Sequence, residues 1–480
     1  MNPAAGMDPS RKKALADSML LWQDDLVEAL RSVCSIQSIK GEKTANAPFG
    51  EQTRLALEVF LEIGRNLGFR SVNLDQYAGY VEMGEGDRLV AALCHLDVVP
   101  AGEGWTTDPF LPVIVAGKMI GRGTSDDKGP AIAVLFAMKA LLDSGYQPLG
   151  RIRLIVGLDE ESGSKCMAHY VRVADLPLAG FTPDASFPVI YAEKGMCQIN
   201  LTVDHGQTDT DALRLTGGMA GERANVVPGS CCLTFTDPNG LVSCIQVEGK
   251  PAHASTPWNG RNAISLAMEE AAARLAAAGC SHPFVDFYRK VIGMDWDGRG
   301  LLIAGSDESG PLTLNAGIFH LDERTAGVTL DIRYPVTWSY AEIAATVGRR
   351  AAELGGSAAF TMNSPPLHEP TNAPLVMALT AVYHDLTGLD STPVAIGGGT
   401  YARSMPNIVA FGASFPDDMD AAHQAGESVD IGNLLAASAI FREALVVLDR
   451  LAEKIPPANP AGIQDRGESG PDSMPIQHHG

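Results

Sequence analysis

The sequence predicts an α/β core with a mixed, largely parallel sheet, interrupted by an inserted α+β domain. Three observations predict it. Apolar runs of strand length alternate with helical stretches through the first part of the chain, the pattern of a layered α/β core. The texture changes near Tyr191, where alternating strands, a glycine-rich loop and alanine-rich helices take over. Polar motifs like those of the first part resume only at His423, after a proline-rich crossing at Pro365-Pro366. A core in two pieces accounts for all three: 15–190 and 373–455 for the core, 191–372 for the insert, and a disordered tail over 456–480.

The elements follow in order. Residues 1–14 carry proline, glycine and lysine and are expected to fray. Over 15–38, Leu20, Leu26, Leu30 and Val33 share a helical face. A second helix covers 53–67, with Gly68 placed to stop it. Residues 88–94 read as a buried strand, 131–144 as a helix ended by Gly145, and 151–158 as another strand. Beyond Tyr191, 196–203, 230–236, 242–247 and 328–333 read as strands, 218–225 as a loop, and 262–278 and 340–354 as helices.

Bulk properties bound the function. A chain of 480 residues exceeds what one core usually supports. The formal charge of -21 argues against a nucleic-acid partner, which needs a basic footprint. The eight cysteines are scattered without a CxxC pair, which fits reduced thiols and a cytoplasmic setting. Arg11-Lys12-Lys13 is followed by Asp24 and Asp25 rather than an uncharged apolar stretch, against a secretory signal. No run is expected to reach the apolar length of a membrane span. His478-His479 in the tail makes no metal site by itself.

Several motifs carry chemistry. His95 and Asp97 follow the strand 88–94, where ligands of open α/β sheets gather. A carboxylate behind a ligand imidazole fixes its tautomer, the role expected of Asp97. Asp126 lies in a tight, Gly-flanked loop and is placed to bridge two cations; as an ordinary loop the same triplet, Ser125-Asp126-Asp127, caps the following helix. Glu160 and Glu161 are adjacent, so one can ligate while the other stays free as a general base; the ordinary reading is a solvated helix start. Asp184 and His423 complete the set. Two imidazoles with several carboxylates suit a pair of divalent ions rather than a thiolate site. Such a pair, about 3.5–4 Å apart, activates water and polarises a carbonyl. A Cys94–His95 nucleophile pair is disfavoured, because adjacent strand residues face opposite ways.

At these residues the chain resembles the M20 family of dinuclear zinc peptidases, and within it the PepV-type dipeptidases. The matching blocks are Cys94-His-Leu-Asp-Val-Val-Pro100, Gly121-Arg-Gly-Thr-Ser-Asp-Asp-Lys-Gly129, Leu158-Asp-Glu-Glu-Ser-Gly163, Thr182-Pro-Asp-Ala-Ser-Phe-Pro188 and Ala422-His-Gln-Ala-Gly-Glu427. The resemblance implies a phosphorylase/hydrolase-like core, with the insert as a lid. It implies that His95 and Asp184 hold one ion, Glu161 and His423 the other, and that Asp126 bridges them. Glu160 is then the general base and Asp97 the residue that orients His95. A cis peptide at Asp126–Asp127 is implied as well. In the insert, His253 resembles the histidine that stabilises the oxyanion, and Asn225 and Arg333 resemble residues that grip substrate; the ordinary readings are a loop histidine, a turn cap and a strand-edge charge. Gly397-Gly-Gly-Thr400, with Gly398 and Thr400, lines the carboxylate end through backbone donors in the same reading, or forms just a turn.

The expected function is hydrolysis of short peptides with free amino and carboxyl termini, through a water activated by two divalent ions, Zn2+ first and Mn2+ or Co2+ as alternatives. The expected partner is a small dipeptide substrate, without nucleic acid or membrane. The chain is expected to act as a monomer, with a homodimer as the alternative. An N-acyl amino acid deacylase, removing succinyl or acetyl groups, shares the same chemistry. A non-catalytic metal-binding protein is a third reading, disfavoured by Glu160.

Overall fold

The computed structural model describes residues 7–206, 212–418 and 421–455. Two separate hydrophobic cores organise it. Among the described residues the larger core surrounds a nine-stranded mixed sheet. Its centre is parallel: Leu89–His95 lies between Arg151–Gly157 and Ala179–Thr182, and Ile408–Phe411 continues the parallel run. Antiparallel strands flank it, with Ala78–Gly84 and Arg70–Leu74 on one side and Val189–Glu193 and Leu367–His368 on the other. Every residue of Leu89–His95 is buried, as expected for a strand covered on both faces.

Helix Lys128–Asp143 is apolar nearly all round because it is wrapped by the sheet, by Gln23–Cys34 and by Ile431–Ala452. Ser438 donates its hydroxyl to the Ala133 carbonyl at 2.7 Å across that last packing. Ile431–Ala452 corrects one expectation: at 22 residues it is long and apolar enough to cross a membrane. Its most apolar stretch is 67% buried inside the protein, so the helix serves here as a core element.

The N-terminal region also differs from expectation. Pro9–Asp17 is a helix capped by Asp8, whose Oδ1 accepts the Ser10 amide at 2.7 Å. It packs on Pro374–Thr387 and Ile431–Ala452, long-range contacts that local sequence does not signal. The expected 15–38 helix is instead a turn at Ser18 and a helix ending at Cys34. Helix Glu51–Asn66 stops where anticipated, before Gly68 at φ +97°. The tail over 456–480 lies outside the described residues.

Among the described residues the second core lies under a seven-stranded antiparallel sheet of Val242–Glu248, Ser230–Thr236, Arg214–Ala220, Thr313–Leu321, Thr325–Tyr334, Gly195–Asp204 and Ser357–Ser364, in that order. Gly195–Asp204 alternates buried and half-buried residues, one face turned to helices Ala263–Ala277, Pro283–Val291 and Tyr340–Glu353. The expected loop at 218–225 begins as strand, since Arg214–Ala220 runs through Gly217 and Gly218. Gly218 leaves room for Phe319, whose ring a Cβ would meet at 2.7 Å. All eight cysteines are free.

Candidate metal centre and substrate cleft

The parallel strands end on one side of the sheet, and their carboxyl ends deliver the candidate residues. His95 closes its strand and is fully buried. Its Nδ1–H donates to the backbone carbonyl of Asp97 at 3.0 Å. That bond fixes the tautomer, so Nε2 presents a lone pair. Nε2 faces Asp126 Oδ1 at 3.0 Å and Asp184 Oδ1 at 3.8 Å. On the other side, His423 Nε2 faces Asp126 Oδ2 at 2.8 Å and Glu161 Oε1 at 3.0 Å. Asp126 thus points one oxygen at each imidazole, and the peptide after it is cis.

Donor atoms of His95, Glu160 and Asp184 lie within 4.8 Å of one another, and so do those of His95, Asp126 and Glu161. Glu160 is therefore also within reach of a cation. The electrostatics favour positive charge here. Burial presses His95 toward neutrality, but Asp126, Asp184 and Asp97 reverse this and raise its pKa well above the ordinary value. Hydrogen bonds donated to the Asp126 and Glu161 carboxylates lift His423 to about 10. Burial raises Asp184 to about 6 against the pull of His95. Burial, then the neighbouring Asp184, pushes Glu160 well up. A lone pair aimed at carboxylate oxygens is repulsive unless a proton or cation lies between them, so the donor set fits divalent ions.

The carboxylate of Asp97 does something other than expected. Its nearest oxygen is 3.6 Å from His95 Nδ1. Oδ1 instead accepts the Glu160 amide and Oδ2 the Glu161 amide, each at 3.1 Å. Asp97 orients His95 through its backbone and the Glu160–Glu161 turn through its side chain.

Some shaping residues were not singled out from sequence. Buried Glu427 accepts the amides of Ser125 at 3.0 Å and Asp126 at 3.2 Å, and pairs with buried Arg122. Both lie inside the matching blocks, but a structural carboxylate and a ligand carboxylate look alike there. Asp159 accepts from Lys40 at 2.7 Å and from Ser162 at 2.6 Å, fixing the turn that carries Glu160. The Tyr401 ring stands edge-on to His95, centroids 5.9 Å apart. Its hydroxyl occupies the space above Gly157, where a Cβ would lie 1.8 Å away.

Arg333 and Ser255 approach Gly397, and His253 and Asn225 lie on the backbone next to Ser255. His253 pairs across a short ribbon with Val226, next to Asn225, whose carbonyl accepts the Ala254 amide at 3.0 Å. Ser255 N–H donates to His253 Nδ1 at 3.2 Å, leaving the ring proton on Nε2. Burial, then the Arg333 charge, lowers the His253 pKa and favours that neutral form. Asp331 grips Arg333 by Nε and Nη2, while Nη1 meets Met196 Sδ and approaches the Gly397 carbonyl at 3.5 Å. A Cβ on Gly397 would lie 3.2 Å from Ser255 Cβ. Thr400 differs from expectation: its amide and hydroxyl are both taken by buried Glu193, so it holds the loop.

Comparison with known proteins gives the family of the chain. The model of Peptidase family M20/M25/M40 matches residues 91–446. A Bacillus subtilis protein named "Putative dipeptidase YtjP" is 36% identical over 457 residues, covering 89% of this chain and 97% of its own. A Staphylococcus epidermidis relative, named "Putative dipeptidase", is 33% identical over 463 residues, covering 90% and 98%. Among solved structures, human carnosine dipeptidase 1 superposes with a TM-score of 0.57 at 15% identity, covering 92% of this chain and 99% of its own. Aminoacylhistidine dipeptidase from Vibrio alginolyticus gives 0.58 at 14%, covering 90% and 97%. The chain belongs to peptidase family M20/M25/M40.

Proposed function

We propose that the protein is a metal-dependent dipeptidase, cleaving short peptides with free amino and carboxyl termini. The observation that carries the reading is Asp126, with one oxygen toward His95 and the other toward His423. His95, Asp184 and Asp126 would hold one divalent ion, and His423, Glu161 and Asp126 the other, with Zn2+ the first choice and Mn2+ or Co2+ as alternatives. When bound, the ions supply Lewis acidity to the scissile carbonyl and lower the pKa of water.

The chain's own residues do the rest. Glu160, held by Asp97, takes the proton of the attacking water and returns it to the leaving amine. His253 donates Nε2–H to the carbonyl oxygen as negative charge develops. Arg333, backed by Asp331, binds the substrate carboxylate, and Asn225 and the amides near Gly398 complete that end. Residues 191–372 act as the lid over the core pieces 15–190 and 373–455, in the PepV manner, limiting substrate length and excluding water. With its own His253 beside Arg333 and Gly397, the chain is read as a working monomer in the cytoplasm.

The test is hydrolysis of a dipeptide panel beside N-acyl amino acids by protein loaded with Zn2+, Mn2+ or Co2+. Dipeptides cleaved faster than both tripeptides and N-acyl substrates support the reading. Preference for succinyl or acetyl amino acids replaces it with a deacylase.

A further inference from the structure

Arg403 belongs to no motif singled out above, yet its guanidinium touches four residues in three separate segments. Nε donates to Glu193 Oε2 at 2.8 Å, and Glu193 ends the last core strand before the chain crosses to the second sheet. Nη2 donates to the Lys194 carbonyl at 2.9 Å, in that crossing. Nη1 donates to Ser364 Oγ at 3.1 Å, at the end of the strand from which the chain returns. Nη2 also donates to the Gly398 carbonyl at 3.0 Å. A planar fork with fixed donor directions cannot follow these segments independently.

The glycine loop is built around this group. A Cβ on Gly399 would lie 2.7 Å from Arg403 Nε and 2.8 Å from its Cζ. The Lys194 amide donates to the Ile396 carbonyl at 3.0 Å, and Thr400 is fastened to the same Glu193 carboxylate. Glu193 is fully buried and the Arg403 side chain is 12% exposed, so the pair is screened little by water. Arg333 reaches the loop from the second sheet. The loop therefore sits where both crossings meet.

We propose that Arg403 is a positioning residue that ties both crossings to the glycine loop, so that the loop takes its carboxylate-binding shape only while these contacts hold the two crossings together. What the loop grips rests on the dipeptidase reading; the clasp rests on the contacts alone. Arg403→Lys keeps the charge beside Glu193 but cannot reach Lys194, Ser364 and Gly398 together. Ser364→Ala removes one contact and is the milder variant.

Two measurements on the full chain, loaded with metal, test this and separate it from the dipeptidase reading. In hydrogen exchange, the Lys194 and Thr400 amides should exchange about tenfold faster in Arg403→Lys, less so in Ser364→Ala, with Leu89–His95 unchanged. In steady-state assays KM for a dipeptide should rise about tenfold, with kcat within about threefold and metal content unchanged. Unchanged exchange at both amides, exchange raised uniformly through the core, or a loss confined to kcat overturns the clasp. A wild-type protein that cleaves no dipeptide sinks the substrate assignment, and the exchange pattern then decides the clasp by itself.

Discussion

Asp97 holds Glu160 in place: its carboxylate accepts the Glu160 amide at 3.1 Å, and its second oxygen accepts the Glu161 amide at the same distance. The proposed base and a proposed ligand therefore share one anchor. Asp97→Ala leaves two amides without their charged acceptor, worth about 1.5–3 kcal/mol each. We expect kcat to fall about a hundredfold or more. Asp97→Asn keeps one oxygen acceptor and should retain more activity than the alanine variant. Equal activity in wild type and Asp97→Ala would remove this role.

Glu160→Gln keeps the size of the side chain and removes the base. The expectation is a drop in kcat of about 10²–10⁴-fold with little change in KM. Metal content, measured by elemental analysis, should stay at two ions per chain. Loss of one ion would instead make Glu160 a ligand, a possibility its proximity to His95 and Asp184 makes concrete.

Arg333 is predicted to read the substrate carboxylate. Arg333→Ala should raise KM for dipeptides about 10–100-fold, the worth of a charge-assisted bond. The same variant should leave hydrolysis of the corresponding dipeptide amides almost unchanged. An equal loss on both substrates would assign Arg333 to the fold rather than to recognition.

Chelation should lower thermal stability as well as activity. The centre gathers Asp126, Glu160, Glu161 and Asp184 around two imidazoles, and without cations only protons offset that charge. Ions present at about 100 times their dissociation constant stabilise the fold by about 2.7 kcal/mol. Scanning calorimetry should show the transition falling with chelator and recovering with added Zn2+ or Mn2+. A transition insensitive to chelator counts against the centre.

The second sheet should carry its own acid sensitivity. His282 is 1% exposed, and burial, then the nearby His205, lowers its pKa to about 4. The rings lie 4.4 Å apart, and among the described residues neither has a hydrogen-bond partner. An unfolded histidine binds its proton near pH 6.5, so between that value and about 4 the unfolded state takes up more protons. Stability contributed by neutral His282 is present above about 6.5 and is lost as pH falls toward 4, about 3 kcal/mol in all. Denaturant titrations at pH 7 and pH 4.5 should show a smaller loss in His282→Phe. An identical pH dependence in both proteins would refute this.

Local chemistry made much of the molecule legible. Leu89–His95, Lys128–Asp143 and Arg151–Gly157 show in apolar runs stopped by glycine or by the motifs themselves. His95, Asp126, Glu161 and His423 stand out because ligand-type residues occur in loops after strands, and the structure brings their donor atoms together. Pro9–Asp17 was missed because its stability comes from the far end of the chain, on Ile431–Ala452. Ile431–Ala452 has few charged residues to mark it as a helix in water, because the core surrounds most of it.

By itself, then, the sequence determined which side chains are available and where along the backbone they emerge, since strand periodicity and helix caps are local effects. Tertiary structure decided how they are divided. Asp97 and Thr400 carry ordinary-looking polar groups, and only folding shows that Asp97 spends its carboxylate on the Glu160 turn and Thr400 its hydroxyl on Glu193. Glu427, Glu193 and Arg403 act through partners hundreds of residues away, and no local pattern encodes a hydrogen bond that forms only when two crossings and a loop are packed against one another.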